Sequence, residues 1–142
     1  MNPSRWITLI VSLCTALDMS TASASKWGTN SKAQHIVNRT YQLVYGSVDM
    51  CRRYSPREAD AVIAESRRFK LEYPDFITAL ERSPYFPQAK KNMDEDIDEM
   101  AQKATKDPKL AMCQEYILML KQFIDQPCGK QAVEEMLLDL GK

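Results

Sequence analysis

The chain has 142 residues, 44% of them hydrophobic and 27% charged, which is room for one small domain with a single core. Its 19 basic and 19 acidic residues cancel, which argues against a nucleic-acid binder or an anionic-membrane binder, since both need a basic excess. A single histidine, His35, excludes multi-histidine metal sites and any mechanism that uses two imidazoles.

The first element is a targeting signal. Arg5 supplies a charged start, Trp6 to Leu17 an apolar run, and Ala22-Ser23-Ala24 a small-x-small cleavage site. Residues 1–24 are therefore expected to be a signal peptide cut after Ala24, which implies a periplasmic or secreted protein with no stable membrane anchor. The apolar run is shorter than the roughly 20 residues a spanning helix needs, and Asp18 interrupts it. Leu13 stands before Cys14 where a lipidation motif wants a small residue. Arg5 and Asp18 leave together, so the exported part keeps its charge balance.

Residues 25–31 (SKWGTNS) form a flexible polar lead-in, and residues 32–142 a single helical domain. Val37, Tyr41, Val44, Val48 and Cys51 recur at steps of three and four, one face of a helix. Gly46 lies inside it at a cost of roughly 1 kcal/mol relative to alanine. Ser55-Pro56-Arg57-Glu58 reads as a capping box with proline at the first helical position. Ala59, Val62, Ile63, Ser66, Phe69 and Tyr73 make the next stripe. Pro74 ends it, and Asp75 is placed to cap a short helix carrying Phe76, Ile77 and Leu80.

Ser83 to Pro87 (SPYFP) is a tight connector. Ala89, Met93, Ile97, Met100, Ala101 and Ala104 then mark a fourth helix, and Asn92 with Glu95 suggests a start near residue 93. Asp107-Pro108 repeats the cap-then-proline signal before Leu110, Cys113, Ile117, Leu120 and Ile124, a helix widened by Tyr116 and Phe123. Pro127-Cys128-Gly129 is expected to be a turn, followed by a last short helix with Val133, Met136, Leu137 and Leu140. The pattern is helical throughout, so the fold class is all-α, an irregular bundle of about five or six helices.

Three cysteines follow the leader: Cys51, Cys113 and Cys128. An exported chain permits disulfides. Cys113 and Cys128 bracket a helix whose ends lie some 18 Å apart, whereas a disulfide needs Cα atoms within about 7 Å. Cys51, on the apolar face at the end of the first helix, meets Cys113 if those two helices run antiparallel. Cys51–Cys113 is the preferred pair, ahead of Cys51–Cys128, and Cys128 is left as a candidate free thiol or intermolecular link. No Cys-x-x-Cys spacing suggests redox or zinc chemistry.

No cofactor, metal or catalytic group emerges from the motifs. Asp94, Asp96 and Asp98 imitate a calcium loop, but Glu99 stands where its glycine belongs and Thr105 where its bidentate glutamate belongs. The run reads as a solvated face near a helix start, where the dipole favours acids. The methionines sit at helical spacing, as core residues do. Asn38-Arg39-Thr40 is a glycosylation sequon, of consequence in a eukaryote. Arg67, Arg68, Phe69, Tyr73, Phe76, Tyr85 and Phe86 concentrate aromatics and arginines beside prolines. That is the composition of an interface hot spot and equally of a core at a corner.

These features favour a non-enzymatic protein-binding module of inhibitor, immunity, chaperone or secretion-accessory type. Its partner would be another envelope or secreted protein, and a homodimer is compatible with the same surface. The alternative is a helical carrier of a small apolar ligand or lipid, which would need an apolar cavity.

Overall fold

Proline sets three of the helix starts. A computed structural model describes residues 32–104 and 112–141, with the backbone alone for residues 100–104. Six helices lie among the described residues. In α1, the α-helical Lys32–Tyr41, the π-helical Gln42–Gly46 and the α-helical Ser47–Tyr54 follow without a break. Then come α2 (Pro56–Glu72), α3 (Pro74–Arg82), α4 (Phe86–Ala104), α5 (Met112–Asp125) and α6 (Pro127–Leu140). α2, α3 and α6 each open on a proline, whose fixed φ suits the first turn and whose missing N–H would have no partner there.

The local chemistry at several of these starts differs from the sequence expectation. Ser55 is the N-cap of α2, but its hydroxyl donates to the Glu58 carboxylate rather than accepting a backbone N–H, so no capping box forms. Tyr73, not Asp75, is the N-cap of α3, because Pro74 already occupies the first helical position. α4 begins at Phe86 instead of near residue 93. Gln88 Nε2 donates to Asn92 Oδ1 at 2.7 Å, which engages the amide expected to cap. Pro127, Cys128 and Gly129 are the first turn of α6 and not a loop, and Gln126 alone separates it from α5. The expectations for Asp107-Pro108, Leu110 and the side chains of Met100, Ala101 and Ala104 fall outside the described residues.

The π-helical turn in α1 follows from its polar neighbours. The Ser47 N–H reaches back five residues to the Gln42 carbonyl, one more than an α-helix allows. The Ser47 hydroxyl donates to the Leu43 carbonyl at 2.5 Å, and the Ser66 hydroxyl, from α2, donates to the Val44 carbonyl at 2.6 Å. Buried polar groups need such partners, and this explains a serine on the apolar stripe of α2. Gly46 is equally determined by its surroundings. A Cβ there would stand 2.7 Å from Cγ, Sδ and Cε of Met93, so glycine lets α4 lie against α1.

Two apolar clusters flank α1. The larger gathers Val44, Met50 and Cys51 of α1, Val62 and Phe69 of α2, Phe76 of α3, Tyr116, Leu120 and Ile124 of α5 and Val133 of α6. The smaller joins Val37 and Tyr41 of α1 to Leu80 of α3 and to Ala89, Met93 and Ile97 of α4. Cys51 and Cys113 form the disulfide, with Cα atoms 5.9 Å apart and both residues buried. Gln42 and Tyr116 also meet across α1 and α5, so the two helices run antiparallel, as the pairing requires. Because α2 starts beside Cys51 and its Phe69 reaches Phe123, α2 and α5 run parallel.

Gly129 lies where the start of α6 presses on the backbone of α5. A Cβ there would lie 2.3 Å from the Gln122 carbonyl oxygen and 2.5 Å from the Phe123 Cα, both backbone atoms that cannot rotate away. Gly129→Ala should therefore force α6 off α5 and lower stability by about 1–3 kcal/mol or more. Urea unfolding monitored by circular dichroism measures this, and an unchanged midpoint would contradict the crossing.

Candidate functional site

The residues singled out from sequence for an interface divide between core and surface. Phe69 and Phe76 are each 1% exposed and stack edge-on at 6.2 Å, so they are core side chains that a partner cannot reach. Tyr73 is half-buried, with its ring 5.0 Å from that of Phe69 and its hydroxyl donating to the Phe123 carbonyl. Tyr85 and Phe86 are half-buried at the α3–α4 connector. Arg67 and Arg68 are exposed, and Arg68 pairs with Glu65 at 2.7 Å and with Asp125 at 3.0 Å. Beside them Leu71 is 76% exposed, one helical turn from Arg67. Sequence periodicity could not have isolated Leu71, because nothing distinguishes an apolar residue off the stripe until the stripe is placed.

A second constellation brings four helices to one corner and was missed from sequence. Tyr41 and Tyr45 stack with centroids 5.0 Å apart, and Phe86 meets them edge-on at 5.2 and 5.6 Å. The Tyr45 hydroxyl donates to Glu81 Oε1 at 2.6 Å, and the Lys70 ammonium lies 4.2 Å from the Tyr45 ring centroid. Burial, then the hydrogen bond and charge of Glu81, hold the Tyr45 phenol well above its ordinary range. Such a corner binds a cation to a π face and keeps a phenol protonated. Here its own lysine supplies the cation. The available sequence signal was the i, i+4 tyrosine pair, of which the single-stripe reading of α1 took Tyr41 and left out Tyr45.

The remaining candidates are placed as follows. His35 is half-buried on α1, and burial, then the nearby Arg39 charge, lowers its pKa. Asn38 is half-buried and Thr40 buried within α1, so the sequon lies in a helix. Asp94, Glu95, Asp96, Asp98 and Glu99 all face solvent, as expected for a solvated face. They lie in the middle of α4 and not at its start, so the helix dipole does not account for them. Met50 and Met93 are core residues, and Met112, Met119 and Met136 pack half-buried against the larger cluster. Cys128 is disulfide-bonded and no described cysteine is free. Cys51 and Cys113 take each other, which excludes either as its partner.

Among the described residues, no group of three or more histidine, cysteine, aspartate or glutamate side chains is placed to hold a metal ion. No described helix is long and apolar enough to cross a membrane.

The tyrosines give the domain a predictable alkaline limit. Burial, then the charges of Glu72, Glu134 and Asp125, push the Tyr73 phenol up to about 12 from the ordinary 10.0. A folded value above the unfolded one means that the folded state favours the neutral phenol. This contribution is intact below about pH 10 and is lost as the pH rises towards 12. Tyr45 acts in the same direction. Thermal melts should therefore fall across that window, and Tyr73→Phe should make the fall shallower. An equal slope in the variant would refute the assignment.

Comparison of the chain with protein-family models, with curated proteins and with solved structures returned no match.

Proposed function

We propose that the chain is exported, loses residues 1–24, and works in the periplasm or outside the cell as a non-enzymatic protein-binding module of inhibitor, immunity, chaperone or secretion-accessory type. The observation that carries the export half is the Cys51–Cys113 disulfide, buried between α1 and α5. Such bonds persist in oxidising compartments, and the leader motif addresses the chain to one. The binding half rests on the exposed end of α2. Arg67, Arg68 and Leu71 present two guanidinium groups around a solvent-facing leucine, a combination suited to an interface. A carrier would need apolar space, whereas Phe69, Phe76, Leu80 and Leu120 fill the interior with the protein's own side chains.

Affinity capture with the exported form from an envelope extract of its own source tests the reading. The expected result is a protein partner retained by the wild type and lost by Leu71→Asp, with the captured bait beginning at Ser25. Recovery of nothing but the bait would count against the binding role. A bait that still carries residues 1–24 would count against export.

A further inference from the structure

One face of Tyr45 stacks on Tyr41 with the rings 14° from parallel, and Phe86 closes the edge of both. The other face carries the Lys70 ammonium, 4.2 Å from the ring centroid. Lys70 is half-buried, and among the described residues it forms no hydrogen bond or ion pair. The ring is therefore its one protein partner there. A contact of this kind, on a surface, favours the docked ammonium only about two- to fivefold. The long flexible stem of lysine lets it leave without moving α2.

Carboxylates outnumber that one ammonium. Glu81 accepts the Tyr45 hydroxyl through Oε1 and forms no described ion pair. Asp49 of α1 and Asp94 of α4 are exposed and likewise have no described ion pair. Both lie close to Tyr41, whose phenol is raised first by burial, then by the charge of Asp94 and then by that of Asp49. Arg53, the cation that pairs on this side of α1, is engaged with Asp98 further along α4. An aromatic face bordered by carboxylates that lack partners recognises ammonium groups by their charge and by their fit to the ring.

We propose that the corner of Tyr41, Tyr45, Phe86 and Glu81 is a binding site for an alkylammonium group, which takes the place of Lys70 on the Tyr45 ring. A free diamine and a lysine side chain both present this group. The proposal rests neither on export nor on the α2 surface assigned to a partner.

NMR of the tyrosine rings in the oxidised full-length chain tests it, with ionic strength held constant by sodium chloride. One arm titrates diaminobutane and the other a lysine amide acetylated at its α-nitrogen. Saturable shifts at Tyr45 are expected, and the arm that binds more tightly identifies the source. Lys70→Ala should tighten binding about two- to fivefold, because the competing ammonium is gone. Lys121→Ala removes the same charge from the exposed side of α5 and should bind as the wild type does. Tyr45→Leu should abolish binding, and Glu81→Gln, at an exposed position, should weaken it by about twofold or more and replaces Tyr45→Leu if that variant does not fold. Shifts no larger than sodium chloride alone produces, in both arms, would overturn the proposal. So would a Lys70→Ala protein that binds no tighter than Lys121→Ala.

Discussion

Replacing Cys51 and Cys113 together by alanine is expected to lower the unfolding free energy by about 4 kcal/mol. The bond closes a chain segment with a sequence separation of 62, and the entropy that such a closure removes from the unfolded ensemble corresponds to about that amount. The Cα separation of 5.9 Å is ordinary for a disulfide, so the backbone need not deform to make the bond. A small domain has roughly 5–15 kcal/mol in total, so the loss is a large share of its stability. The urea midpoint should fall by roughly 1–4 M. Substitution is a cleaner test than reduction, because it removes this bond and leaves Cys128 untouched. A midpoint within error of wild type would show that the closed loop is already constrained in the unfolded chain.

That bond was legible from sequence because it rests on two simple facts. The length of α5 separates Cys113 from Cys128, and helical spacing puts Cys51 and Cys113 on apolar faces at ends that meet. Helix classes and most boundaries were legible for the same kind of reason: proline at the first position and periodic apolar residues are local signals. What failed depended on contacts between helices. Nothing around Asn92 and Glu95 shows that α4 already runs from Phe86, since the Gln88 amide that engages Asn92 lies upstream of the apparent cap. Gly46 reads as a defect until Met93 is brought against it. The π-helical turn is invisible to a 3.6-residue period, because the same residues satisfy that period while the carbonyls of Leu43 and Val44 are taken by serines, one of them on another helix. The site was the least legible part. An aromatic-rich stretch has one composition whether it faces a core or a partner, and burial decides between them.

Phe69 is where that decision has its largest consequence, and Phe69→Ala is expected to cost about 3–5 kcal/mol. Its ring is 1% exposed and lies between those of Tyr73 at 5.0 Å, Phe76 at 6.2 Å and Phe123 at 6.1 Å, so truncation leaves three aromatic neighbours facing a void. Each such ring pair contributes about 0.5–1.5 kcal/mol beyond area alone. These neighbours lie at the α2–α3 junction, on α3 and on α5, and the space cannot collapse by moving one helix without pulling the Tyr73 hydroxyl from the Phe123 carbonyl. Arg67, two residues away on the same helix, is exposed, and Arg67→Ala should change stability by less than about 0.5 kcal/mol. Parallel urea titrations of the two variants therefore separate core from surface within one short stretch. If Phe69→Ala unfolds at the wild-type midpoint, the ring carries no packing role and the interface reading of this aromatic cluster returns. If it falls as expected while Arg67→Ala does not, Phe69 is a core residue, and the proposed partner surface keeps only the residues of α2 that meet solvent, Arg67, Arg68 and Leu71.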